Sequence, residues 1–186
     1  MINCFKGTPV KYIFLLISLI VTGSAEATAA KLQSGPVITP FGKHYQVDSA
    51  IPVSAQTRLK VVFDVSEQSG TKKENRYFNS LARFINMHVS AGVPVENIEL
   101  ALVVHGEAGY DLLNDGGFQK EYQRLNPSAP LISQLLSNNV KVYLCGQSAA
   151  FLDIKQTDLI DGVEVALSAM TAHAVLAQQG YTFNPF

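Results

Sequence analysis

Cys145, His105 and Asp64 are the residues of this chain whose types and settings could do chemistry. Each stands at or just past the end of an apolar run: Asp64 in LKVVFDV, His105 after IELALVV, and Cys145 closing VKVYLC. A thiolate is a strong nucleophile and sulfur carrier once its pKa is lowered. An imidazole can orient or deprotonate it, or bind substrate. The backbone of Gly146-Gln147-Ser148 can offer N–H groups to the sulfur, and Gly106, like Gly146, breaks its strand and lets backbone or ligand come close. Ser66 opens a polar loop ahead of a helix, a setting that can hold an anion. A plainer reading stands beside each of these. Cysteine is often a small, buried, inert residue, and a histidine at a strand end can simply bond loop backbone.

Other chemistries find less support. A zinc site asks for more ligands at close spacing than Cys145, His105 and Asp64 supply, so no metal and no other cofactor is expected. No phosphate-binding glycine motif follows a strand, and the nucleophile elbow G-x-S-x-G is absent. His88 and His173 have apolar neighbours and read as packing or interface histidines. His44 carries no signal.

The elements that would position these residues follow from periodicity. Leu59 to Val65, Ile98 to Val104 and Val140 to Cys145 read as buried strands. Between the first two, Thr71-x-x-Glu74 has capping-box spacing, and a helix from about Lys72 to Ser90 carries Tyr77, Leu81, Phe84, Ile85 and His88 on one face. A second helix starts at Ser128 and Pro130 and runs to about Asn138. Residues 148–157 read as a loop. Val163 to Gln179 reads as one last helix, so apolar on all sides that its outer side should meet another subunit. Tyr181 to Phe183 is a last strand. Strands alternating with helices give an α/β domain with a mostly parallel, doubly wound sheet and helices on both faces. The strand exits at Asp64, His105 and Cys145 then share one edge of that sheet.

The 186 residues are about one domain, with 47% hydrophobic residues, 16% charged residues and a formal net charge of -1. No basic or aromatic-basic pattern is present, so no nucleic acid is expected as a partner. Lys6 and Lys11, the apolar run from Tyr12 to Val21 and the small residues from Gly23 to Ala30 read as a cleaved secretory signal over residues 1–30, with an uncleaved anchor as the alternative. After cleavage no stable membrane insertion is expected. Cys4 leaves with the signal, and Cys145 remains as a lone thiol in an oxidising compartment, without an internal disulfide partner. Residues 31–57, with Pro36, Pro40 and Pro52, read as an extended arm. Phe41 and Tyr45 would either tack it onto the domain or a neighbour, or leave it loose. The domain itself is residues 58–186.

The segments VVHG from Val103, Asn126-Pro127, VYLCGQS from Val142, LSAMTA from Leu167 and Gly180-Tyr181 together resemble the DsrE/DsrF-like sulfur-relay family, in particular its secreted, stand-alone branch. The resemblance runs from about Leu59 to the end of the chain. It implies a three-layer α/β/α fold that assembles into homo-oligomers, trimers or hexamers. It also implies that Cys145 accepts sulfane sulfur as a persulfide and passes it on. His105 would polarise or position that sulfur, and Asp64, Ser66, Gly106, Gly146, Gln147 and Ser148 would line the site. Donor and acceptor would be a protein or a small sulfur compound, in the periplasm or outside the cell. The alternative is a non-catalytic small-ligand-binding or assembly module on the same fold. Thiol redox work is disfavoured, because no second cysteine can resolve a disulfide within one chain.

Overall fold

A computed structural model describes Met1 and residues 30–185. Apart from Met1 and Ala30, the expected signal segment lies outside the described residues. Among the described residues no helix is long and apolar enough to cross a membrane.

The centre is a five-stranded, wholly parallel sheet. Its first three strands in the chain are β3 (Leu59–Val65), β4 (Ile98–Val104) and β5 (Lys141–Cys145), as the apolar runs predict. Two short strands, β6 (Glu164–Ala166) and β7 (Thr182–Pro185), close the edges, giving the order β6-β5-β4-β3-β7. The pleat divides the core in two. Phe63, Val65, Leu100, Leu102, Val104, Val142 and Leu144 face one side, against helices α1 (Arg76–Ser90) and α3 (Ala129–Ser137). Val62, Ala101 and Val103 face the other, against Ala172 and Leu176 of α5 (Ala169–Gln178) and Tyr181. These are the three layers, α/β/α.

The same alternation aims the chemistry. Asp64 follows Val62 by two residues, His105 follows Val103 by two, and Cys145 follows Tyr143 by two. All three therefore belong to the α5 face, at the carboxyl end of adjacent strands whose registers pair Asp64 with Val103, and Val103 with Tyr143.

Several boundaries differ from the expectation, each for a tertiary reason. Helix α1 starts after Asn75, not Thr71: the Asn75 side chain accepts from the Tyr77 N–H at 2.9 Å, while its amide donates to the Asp111 carboxylate at 2.7 Å and to the Glu67 carbonyl at 2.9 Å. Ser128 does sit at the start of α3, but its hydroxyl accepts from the Asn75 backbone at 2.9 Å instead of capping its own helix. The expected loop over residues 148–157 is helical in its first part, because α4 (Gly146–Phe151) begins directly after Cys145. A further short helix, α2 (Asp115–Tyr122), buries Phe118. The expected helix from Val163 to Gln179 is two elements. Residues 164–166 pair with β5 as an edge strand, and Ser168 caps α5 by accepting from Thr171 N–H at 3.0 Å. Nor is that helix buried all round in the single chain. Ala172 and Leu176 face the sheet, while Met170 is 79% exposed.

The arm is fastened to the domain. Its two short strands, β1 (Leu32–Gln33) and β2 (His44–Tyr45), pair antiparallel, and the loop between them wraps Asn86 of α1. The Asn86 side chain accepts from the backbone N–H of Ile38 at 2.9 Å and of Val37 at 3.2 Å, and donates to the carbonyls of Ile38, Phe41 and Gly42 at 2.9, 3.1 and 3.2 Å. Ile38 is fully buried in the main core and Phe41 packs against it, whereas Tyr45 stays exposed.

Candidate functional site

Cys145 ends β5 and opens α4. Two helix beginnings meet at its sulfur. Burial pushes the thiol up, but the backbone N–H groups of Ser148, Ala169 and Gln147 and the Ser148 hydroxyl act against burial and together outweigh it. The thiol therefore sits below its ordinary value. Ser148 and Gln147 belong to the first turn of α4, and Ala169 is the first residue of α5. The split of the expected last helix at Ser168 is thus what brings Ala169 to the sulfur. Gly146 makes that meeting possible: a Cβ there would lie 2.6 Å from the Ala166 carbonyl oxygen and 3.1 Å from that of Leu167. The close approach at Gly146 is that of the backbone before α5.

A cleft of about 270 Å³ opens beside the sulfur, lined by Asp64, His105, Cys145, Gln147, Ser148, Ser168, Ala169, Met170 and His173. Cys145 is only 6% exposed, yet the exposed part faces this cleft. No Lys or Arg lines it. Asp64 takes one imidazole on each carboxylate oxygen: His105 Nε2 lies 3.0 Å from Oδ2, and His173 Nε2 lies 2.6 Å from Oδ1. An ionised carboxylate only accepts, so each Nε2 carries the hydrogen and donates it.

The expected site residues divide into those that share the cleft and those that do not. Asp64, His105, Cys145, Gln147 and Ser148 share it. Gln147 Nε2 also ties the wall together by donating to the Leu167 carbonyl at 3.2 Å. Gly106 lies behind the wall. Its φ of 55° needs glycine, its N–H donates to Ser148 Oγ at 3.0 Å, and it lines a neighbouring hollow with Glu107, Gln147, Ser148, Phe151 and Leu152. Ser66, also expected at the site, does not line this cleft. It is exposed, and its carbonyl is occupied by the Ala108 N–H at 3.1 Å, because β3 ends with its loop turned toward the 106–112 segment.

His173, Ser168, Ala169 and Met170 join the site without having been expected there. The sequence signal for His173 is its place four residues after Ala169, one turn on, but that signal is readable only once α5 is known to start at Ser168. Among the described residues no cluster of His, Cys, Asp and Glu has the form of a metal site.

The DsrE/DsrF-like family model matches residues 60–185, which contain the sheet, both helical layers and the whole cleft. This chain belongs to the DsrE/DsrF-like family. Solved structures with the same fold include a protein of unknown function, MTH1491, from Methanobacterium thermoautotrophicum, at 16% identity and a TM-score of 0.52. They also include the ychN protein from E. coli, at 24% identity and a TM-score of 0.50. Each comparison covers 69% of this chain and 99% of the other, so this DsrE/DsrF-like protein carries a portion that those two chains do not match. The arm, ending before residue 60, lies outside the family match. No curated protein matches the chain.

Proposed function

We propose that this protein is an exported sulfur handler in which Cys145 accepts sulfane sulfur as a persulfide and passes it on. The observation that carries the reading is the set of backbone N–H donors from two helix starts on the one thiol among the described residues, which holds that thiol below its ordinary value at the wall of a cleft. A persulfide R–S–SH meeting the Cys145 thiolate would lose its outer sulfur to it. The new Cys145 S–S bond forms, the S–S bond of the donor persulfide breaks, and R–S⁻ leaves and takes a proton. The same step run toward an acceptor thiolate restores Cys145. His105 positions or polarises the transferred sulfur. A cleft holding a carboxylate and no Lys or Arg favours neutral or singly charged donors, persulfides and short polysulfides, over the doubly charged thiosulfate ion.

Export rests on the charged, apolar and small-residue succession of residues 1–30. Assembly into a homo-oligomer is part of the same proposal. Among the described residues, α5 and Tyr181 pack on that face of the sheet, and Leu167, Met170, Val175 and Phe183 are exposed in the single chain.

The test is sulfur transfer from a polysulfide to cyanide or to an acceptor thiol, with the wild-type protein and Cys145→Ser. Transfer by the wild type and none by the variant supports the reading. Equal behaviour of the two, with Cys145 alkylated no faster than free cysteine near neutral pH, favours a ligand-binding or assembly module instead.

A further inference from the structure

His173 is a titratable group of the cleft to which the sulfur chemistry above gives no role. Its Nε2 donates to Asp64 Oδ1 at 2.6 Å, while its Nδ1 is buried and has no hydrogen-bond partner. With Nδ1 unpartnered, the bond from Nε2 to Asp64 is the polar contact that orients the ring. The other imidazole on the same carboxylate differs. His105 also donates from Nε2, to Asp64 Oδ2 at 3.0 Å, but its side chain is 35% exposed and it has no orphaned ring atom. The titratable groups lining the cleft are Asp64, His105, Cys145 and His173.

We propose that His173 is a positioning residue: by fixing Asp64 it holds the His105 imidazole so that His105 protonates the sulfur that leaves when Cys145 attacks an S–S bond. The inference rests on Cys145 being the attacking atom, and extends the reading above to the leaving group. The Cys145 proton has gone to solvent, because the N–H donors at the sulfur favour the thiolate, and His105 carries a proton taken from solvent. The thiolate attacks one sulfur of R–S–S–R, the Cys145 S–S bond forms and the old S–S bond breaks. The departing R–S⁻ then takes the proton from His105 as RSH. One disulfide and one thiol become another disulfide and another thiol, and no outside oxidant or reductant is needed.

A leaving group that is a strong base needs that proton, and one that is a weak base does not. The experiment is therefore reaction of the full folded protein with two neutral disulfides, bis(2-hydroxyethyl) disulfide and 4,4′-dithiodipyridine. Iodoacetamide, whose iodide leaves without a proton, serves as reference. His173→Leu should slow the dialkyl disulfide about tenfold, a part of what general acid catalysis is worth, and leave the other two reagents nearly unchanged. His173→Gln, which can put an N–H where Nε2 was, should restore the rate. Asp64→Asn should show the same selective loss as His173→Leu and keeps the test open if the leucine variant does not fold. Equal slowing with all three reagents, no slowing at all, or no rescue by glutamine would overturn the proposal. A protein that shows the selective loss but takes no sulfur from polysulfide would overturn the sulfur reading and leave this one standing.

Discussion

Asp64 Oδ1 lies 2.6 Å from Nε2 of His173, a residue 109 positions later in the chain. That bond joins the exit of β3 to the second turn of α5. The helix whose first N–H reaches the Cys145 sulfur is therefore pinned to the strand that carries the acidic member of the cleft. Pairing with Asp64 also fixes which ring nitrogen of each histidine holds the hydrogen. The cleft is thus wired through one carboxylate, and changes at its wall should be felt at the sulfur.

Ser148→Ala tests how the thiol is tuned. The Ser148 hydroxyl holds the thiol down and also accepts the Gly106 N–H at 3.0 Å. Without it the thiol pKa should rise, so less thiolate is present near neutral pH and alkylation slows. The expected loss is about tenfold, the worth of one hydrogen bond to a charged group. The rate of iodoacetamide alkylation against pH checks this. An alkylation midpoint that stays put or falls would remove the hydroxyl from the account.

Gly146→Ala tests the close approach that assembles the cleft. The new Cβ would press on the Ala166 carbonyl oxygen, backbone that cannot swing aside. The edge strand should be pushed off β5, with a stability loss of about 1 to 3 kcal/mol and slower Cys145 alkylation. Urea unfolding and alkylation rates measure the two effects, and a variant as stable and as reactive as wild type would speak against the packing described.

Asn86→Ala should release the arm. Five backbone groups of residues 37–42 would lose their partner in a buried setting. The expected cost is about 2 to 4 kcal/mol, with new protease cleavage between residues 35 and 45. Limited proteolysis followed by mass mapping reads it. Continued protection of the arm would mean that Ile38 and Phe41, with the bonds from Asn79, Arg83 and Gln134, hold it without Asn86.

Asp111→Asn addresses pH. Burial pushes Asp111 from the ordinary 3.8 up to about 6, against hydrogen bonds from Asn75, Ser69 and Gln68. Because the folded value is raised, the contribution of Asp111 to stability is fully present below the unfolded pKa and is lost as pH rises through about 6. The size is of the order of 3 kcal/mol across that window. The asparagine variant should lack this loss, so the difference in urea midpoint between variant and wild type should grow in the variant's favour from acid to neutral pH. A constant difference would contradict the assignment.

The parts of this fold that could be read from the chain are those whose burial is written locally. The runs at Leu59, Ile98 and Lys141 are strands buried on both faces, and their period-two alternation also fixes the face to which Asp64, His105 and Cys145 belong. What could not be read depends on partners distant in sequence. Helix α1 starts at Asn75 because Asp111 and Ser128 hold that residue. Residues 164–166 are a strand because the β5 edge is free to take them, although their small apolar neighbours suit a helix. His173 looked like a packing residue because neither its acidic partner nor the start of its helix is marked nearby. Ser66 opens a polar loop ahead of a helix, but its carbonyl takes the Ala108 N–H, a partner 42 positions away that nothing near Ser66 marks.

Sulfur carried on Cys145 can be weighed. The most direct measurement is the intact mass of the folded protein after exposure to a polysulfide and removal of the excess, before and after a reductant. The account predicts a mass gain of one sulfur atom that maps to the peptide holding Cys145 and disappears on reduction. An unchanged mass in folded, fully reduced protein, with sulfur taken up only after unfolding, would contradict it.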